Sequence, residues 1–187
     1  LEHAVPLAEA LVAGGIMNLE VTLRTEYGLK AITLIRDQVK GANVGVGTVC
    51  NATEFDAAVD AGANFVVSPG QSDALFERAL LTNIPFLPGA VTATEVLAAK
   101  EAGFNALKFF PASTSGGAAA IKALAGPFAD LQFVPTGGIN LDNAGSYLSL
   151  SNVRAVGGSW LTPADAIQNG QWEYIKQIAR EASQLGA

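Results

Sequence analysis

The chain has 187 residues, half of them apolar and only 15% charged, which excludes a disordered polymer and allows a sizeable core without covalent staples. Eleven Lys and Arg against 17 Asp and Glu leave a formal charge of −6 with no basic run. That balance argues against a nucleic-acid partner but leaves room for a small anionic substrate held by a few local groups.

An amphipathic helix is expected first, with Ala4, Leu7, Ala8 and Leu11 at helical spacing. Seven short apolar runs follow, bounded by Gly, Pro or Asn: 17–23, 43–48, 64–68, 84–87, 105–110, 131–136 and 153–158. Their starts lie 26, 21, 20, 21, 26 and 22 residues apart, room for one helix and two loops each time. Repeating β–α units at this pitch predict a parallel sheet. Asn51 with Glu54, and Thr92 with Glu95, have capping-box spacing. Thr162–Pro163 predicts an N-cap followed by proline in the first helical position. In the last helix Trp172, Ile175, Ile178 and Ala179 form the core face, so Trp172 reads as core and not as a ligand.

The fold class predicted is α/β, a (β/α)8 TIM barrel of one domain over residues 1–187. A closed barrel needs eight strands and seven are visible, so the first strand is expected upstream of Leu1. The competing architecture is an open flavodoxin-like sheet, whose usual five or six strands fit seven repeats less well. No apolar run approaches the ~20 residues that span a bilayer, so no membrane partner and a cytoplasmic location are expected.

A barrel carries its site at the C-terminal strand ends. Lys108, inside the apolar run Asn105-Ala-Leu-Lys-Phe-Phe, is the sharpest anomaly. Alternation sets it on one face with Ala106 and Phe110, the inward face if Leu107 and Phe109 meet the helices. A lysine taken out of water gives up its proton more readily, and the neutral amine attacks carbonyl carbon. The alternative is a structural lysine paired with a carboxylate. In the run Leu19–Thr25, Glu20, Thr22 and Arg24 share one face. Glu20 suits general acid–base work and Arg24 a carboxylate clamp, or the two charges form an internal ion pair. Pro135-Thr-Gly-Gly-Ile139 and Val156-Gly-Gly-Ser-Trp160 end the last two runs, where barrels commonly bind phosphate; Thr136 and Ser159 add hydroxyls there. Thr48 and Pro69 sit at two further strand ends, suited to a substrate oxygen and a pocket wall. Cys50, the only cysteine, reads as a free thiol. His3, the only histidine, reads as solvated on the first helix. With one histidine and no carboxylate cluster, no metal is expected; Asp142 after Asn140 reads as helix-start chemistry.

In order, LEVTLRT, GVGTV, SPG, LKFFPA, GPF, PTGGI and GGSWL run from Leu1 to the last helix in a pattern that closely resembles the 2-keto-3-deoxy-6-phosphogluconate (KDPG) and 4-hydroxy-2-oxoglutarate (KHG) aldolase family. The resemblance implies a trimeric, cofactor-free and metal-independent class I aldolase on a (β/α)8 barrel. It implies Lys108 as the Schiff-base lysine, Glu20 as general acid–base and Arg24 as a ligand of the substrate carboxylate. It places Thr48, Pro69 and Phe110 around the pyruvyl part, and Gly137, Gly138, Gly158 and Ser159 at the phosphate end. The expected partners are pyruvate and a phosphorylated keto-deoxy sugar acid. Ser113 stands where the family often has an acidic residue after FPA. The alternatives are a pyruvate aldolase with another aldehyde preference, a metal-independent phosphosugar isomerase or epimerase, and a non-catalytic phosphate-binding barrel.

Overall fold

A computed structural model describes residues 1–185. After helix α1 (Ala4–Ala13), strands and helices alternate: β1 (Asn18–Thr22), α2 (Gly28–Gln38), β2 (Asn43–Gly47), α3 (Ala52–Asp60), β3 (Val66–Val67), α4 (Asp73–Thr82), β4 (Phe86–Leu87), α5 (Ala93–Glu101), β5 (Ala106–Phe109), α6 (Gly117–Leu124), β6 (Gln132–Pro135) and α7 (Leu141–Leu148). A 3-10 turn at Ser159–Leu161, a short α8 (Ala164–Gln168) and α9 (Trp172–Ser183) complete it. None of the described helices is long and apolar enough to cross a membrane.

Every strand pairing is parallel and follows chain order, β1-β2-β3-β4 and β5-β6, with Gly89 bridging Lys108 to join the two groups. The sheet is curled. In a flat sheet β1 and β5 would lie about 19 Å apart, four strand spacings. Yet side chains from these two strands, Glu20 and Lys108, meet at 3.2 Å. An open sheet does not permit that contact; a barrel wall does. Hydrophobic residues facing outward from the strands (Val44, Val46, Leu107, Phe109, Phe133) are fully buried under the helices and form one core with them. Phe55, Phe86, Phe104 and Phe76 make a chain of ring contacts at 5.1–5.6 Å inside it.

Several strands are shorter than the apolar runs. β1 ends at Thr22, and Leu23 and Arg24 enter a turn. Prolines at 85 and 88 flank β4 and lack N–H groups. Pairing there continues through their carbonyls, with Val66 N donating to Pro85 O and Lys108 N to Pro88 O. The seventh run forms no regular strand. Arg154 N bonds Phe133 O, but Gly157 N, not Val156 N, bonds Pro135 O. One extra residue opposite β6 makes a bulge, which leaves isolated bridges at Val153 and Gly157.

The helix starts follow the sequence with two corrections. Thr92 and Glu95 close a full capping box. Asn51 caps the Glu54 N–H, but the Glu54 carboxylate accepts from Cys50 N at 2.7 Å, one residue before the cap. Pro163, not Thr162, is the N-cap of α8, with extended backbone (φ −61°, ψ 127°); the Thr162 hydroxyl instead donates to Ser159 O. Asn140 caps α7 through the N–H groups of Asp142 and Asn143, so Asp142 does sit in a first helical turn. His3 is half-buried, its ring 5.8 Å from that of Trp172, and less solvated than expected.

Candidate active site

Lys108 is held from both sides by backbone. Its N–H donates to Pro88 O at 2.8 Å and its carbonyl accepts from Ala90 N at 2.9 Å. With Leu107 and Phe109 pointing into the helix layer, the intervening side chain must enter the barrel. There it is 8% exposed, and its Nζ donates to Glu20 Oε1 at 3.2 Å. Nζ also lies 5.3 Å from the centre of the Phe110 ring, within cation–π range. The Glu20 side chain is 29% exposed, so the pair is dry at the lysine and wetter at the carboxylate. That asymmetry gives an amine in a confined space beside a group able to hand protons to and from solvent.

Glu20 leans over β2. Its Cα is level with Gly45, and its carboxylate occupies the space in front of Gly47, two residues nearer the mouth. At Gly45 the ring of Phe65 fills the equivalent space. Thr48, the next residue, has φ +64°, a left-handed conformation that a β-branched side chain rarely adopts. Arg24 is exposed at the rim, with Nε donating to Thr22 Oγ1 at 3.3 Å. That contact keeps it on the Glu20 side, although the strand has ended. Neither Arg24 nor Thr48 hydrogen-bonds Lys108 or Glu20 among the described residues.

Pro69 flanks Lys108 through Gly89. A side chain at Gly89 would collide with the Pro69 carbonyl, and Gly89 is the bridge partner of Lys108. Beyond Phe110 the chain meets the glycine turn after β6. Ala112 N donates to Thr136 O and Ser113 N to Gly137 O. Gly137 (φ +90°) and Gly138 (φ +76°) need the left-handed region that glycine supplies. The Phe110 ring stands 3.1 Å from where a Gly137 Cβ would be. The Ser113 hydroxyl fills the corresponding space at Gly138. The Thr136 hydroxyl is buried with no hydrogen-bond partner among the described residues, while its methyl packs on Gly157. Gly158 is extended, with the Trp160 ring against it, and Ser159 opens the 3-10 turn with its side chain exposed.

The structure thus brings Lys108, Glu20, Phe110 and the Thr136-Gly137-Gly138 turn around one mouth. Sequence reasoning gave Gly47 no part in it and noted Ser113 only as a departure from the family pattern. The signal for Gly47 was the repeat Gly45-Val-Gly47, which puts glycine at two successive inward positions of one strand.

Residues 1–178 match the family model described as KDPG and KHG aldolase. The chain is 49% identical to the 2-dehydro-3-deoxy-phosphogluconate aldolase of Dickeya dadantii over 182 residues, 97% of this chain and 85% of that one. It is 48% identical over the same shares to the KHG/KDPG aldolase of Escherichia coli. A crystal structure of KDPG aldolase from Legionella pneumophila, with pyruvate captured as a covalent carbinolamine, superposes with a TM-score of 0.95. It is 44% identical and covers 98% of this chain and 89% of its own. The curled parallel sheet agrees with these matches, and the chain belongs to the KDPG and KHG aldolase family.

Proposed function

We propose that this chain is a class I aldolase that reversibly cleaves 2-keto-3-deoxy-6-phosphogluconate to pyruvate and glyceraldehyde 3-phosphate, with Lys108 as the Schiff-base nucleophile. The observation that carries the reading is the buried Lys108 amine, 3.2 Å from the Glu20 carboxylate inside the barrel. A proton passed from Lys108 to Glu20 frees the amine to attack the C2 ketone. Glu20 returns that proton to the carbinolamine hydroxyl, which leaves as water, restoring the Glu20 carboxylate and giving an iminium. Its nitrogen accepts the C3–C4 bonding electrons as Glu20, directly or through water, removes the C4 hydroxyl proton. The aldehyde leaves, the enamine takes a proton back at C3, and water releases pyruvate and regenerates the amine.

Arg24, as a planar five-donor cation at the rim, and Thr48 hold the substrate carboxylate. Pro69 and Phe110 wall the pyruvyl part. Thr136, Gly137, Gly138, Gly158 and Ser159 take the phosphate; the unpaired Thr136 hydroxyl and the glycine backbone suit an anion at that end. The iminium nitrogen is the electron sink, so the steps as written call for no cofactor. The name of the Escherichia coli relative supports 4-hydroxy-2-oxoglutarate, giving pyruvate and glyoxylate, as a second substrate. Residues 1–187 act as one barrel domain, working as a homotrimer in the cytoplasm.

Competing rates on the two substrates, with pyruvate release as the readout, test the reading. The phosphorylated substrate should have the higher kcat/KM, and Lys108→Ala should abolish turnover of both. A Lys108→Ala variant that turns over near the wild-type rate contradicts the mechanism.

A further inference from the structure

We infer that Gly47 is a positioning residue: its missing side chain is the slot that holds the Glu20 carboxylate beside the Lys108 amine. The inference rests on the reading of Glu20 as the proton-transfer group. Gly47 has none of the positive φ values that restrict a position to glycine, so its backbone accepts any L-residue. A Cβ there would collide with Glu20 Oε1 and stand 2.6 Å from its Cδ and 2.7 Å from its Cγ. These Glu20 atoms are its three nearest neighbours, so the first obstacle to a side chain there is the Glu20 carboxylate itself.

The choice also runs against local stability. Glycine inside a strand loses more backbone entropy on folding than alanine does. Gly47 is a fully formed strand residue, paired with Thr22. The layout of β2 explains the arrangement. Val44 and Val46 fill the outward face, while Gly45 and Gly47 leave two vacancies inward. The deeper vacancy takes the Phe65 ring, and the one nearer the mouth takes the Glu20 carboxylate. A methyl at Gly47 would push that carboxylate away from Lys108, and a shift of about 1 Å at a reacting group can cost about 100-fold in rate.

The test compares Gly47→Ala, Glu20→Asp and the double variant by two readouts: deuterium exchange into the pyruvate methyl group, and borohydride-trapped pyruvate on Lys108. Gly47→Ala should slow exchange by about 100-fold, with Lys108 still trapping pyruvate. The double variant, one methylene shorter at the carboxylate, should exchange faster than Gly47→Ala, recovering part of that loss. A purely structural glycine predicts no such recovery. Wild-type exchange in Gly47→Ala, or no recovery in the double variant, overturns the inference.

Thermal midpoints decide the matter independently of chemistry. Gly47→Ala should lower the midpoint when Glu20 is present and raise it in a Glu20→Ala background. Equal effects in the two backgrounds overturn the slot. If wild-type protein traps no pyruvate on Lys108, the functional reading fails while this thermal comparison still stands.

Discussion

Lys108 is visible in the sequence because a charge inside an apolar run needs a reason, and the structure supplies one in Glu20, 88 residues earlier in the chain. Lys108→Arg keeps a cation opposite Glu20 but presents no nucleophilic amine. Circular dichroism should show a retained fold, and pyruvate release should show no turnover. Glu20→Gln keeps shape and loses the base, so kcat should fall by about 10²–10⁴-fold, with pyruvate still trapped on Lys108. Thr48 carries a different cost. Its left-handed backbone stores about 1–3 kcal/mol, more than the ~1 kcal/mol by which a glycine loosens the unfolded chain. Thr48→Gly should therefore melt no lower than wild type, while KM rises for want of the hydroxyl. A clear drop in the melting temperature would contradict this account of Thr48. The strain at Thr48 was not legible in the sequence, and Gly47 showed only as the second glycine on one face of a strand, with nothing local to say what fills its space. A glycine near a strand end reads as a turn, and the carboxylate filling its vacancy comes from another strand.

At the scale of elements, periodicity located six strands and their helices but not their lengths. Proline sets the ends of β4, and the bulge at 154–157 depends on how that segment meets β6, which no local pattern encodes. Helix starts were more legible, because caps are local. The capping box of α5 makes a pH-dependent prediction. The Thr92 N–H, then the Val91 N–H, hold the Glu95 carboxyl below its ordinary range, with the Thr92 hydroxyl adding to them and partial burial opposing. The folded state then binds that proton less readily than the unfolded chain. The stabilisation is complete above the ordinary value of 4.5 and is lost as pH falls through the lowered one. Glu95→Gln should melt lower than wild type at pH 7, with the gap closing in acid. Melting curves at several pH values check it; a gap that persists or widens in acid contradicts it.

Across the whole molecule, the contact between β1 and β5 decides between barrel and open sheet. Strand count alone favoured the barrel but did not establish curvature. One core continues around the structure, with the four-ring cluster joining α3, β4, α4 and the turn before β5. Phe55 is fully buried at one end of that cluster, and Phe55→Ala should cost about 3–5 kcal/mol in denaturant titration. A loss below ~1 kcal/mol would mean the rings repack freely. α1 lies against α9 at Gly14, where an added side chain would stand 2.7 Å from Lys176 O, so the first and last helices pack together.

The central claim is that the Lys108 amine forms a Schiff base inside this barrel. The most direct measurement is to mix the protein with pyruvate, reduce with borohydride, and locate the added mass by peptide mapping. The account predicts a single reduced pyruvyl adduct, on Lys108, absent from Lys108→Ala. A folded protein that gains no adduct, or gains it on another lysine, would contradict it.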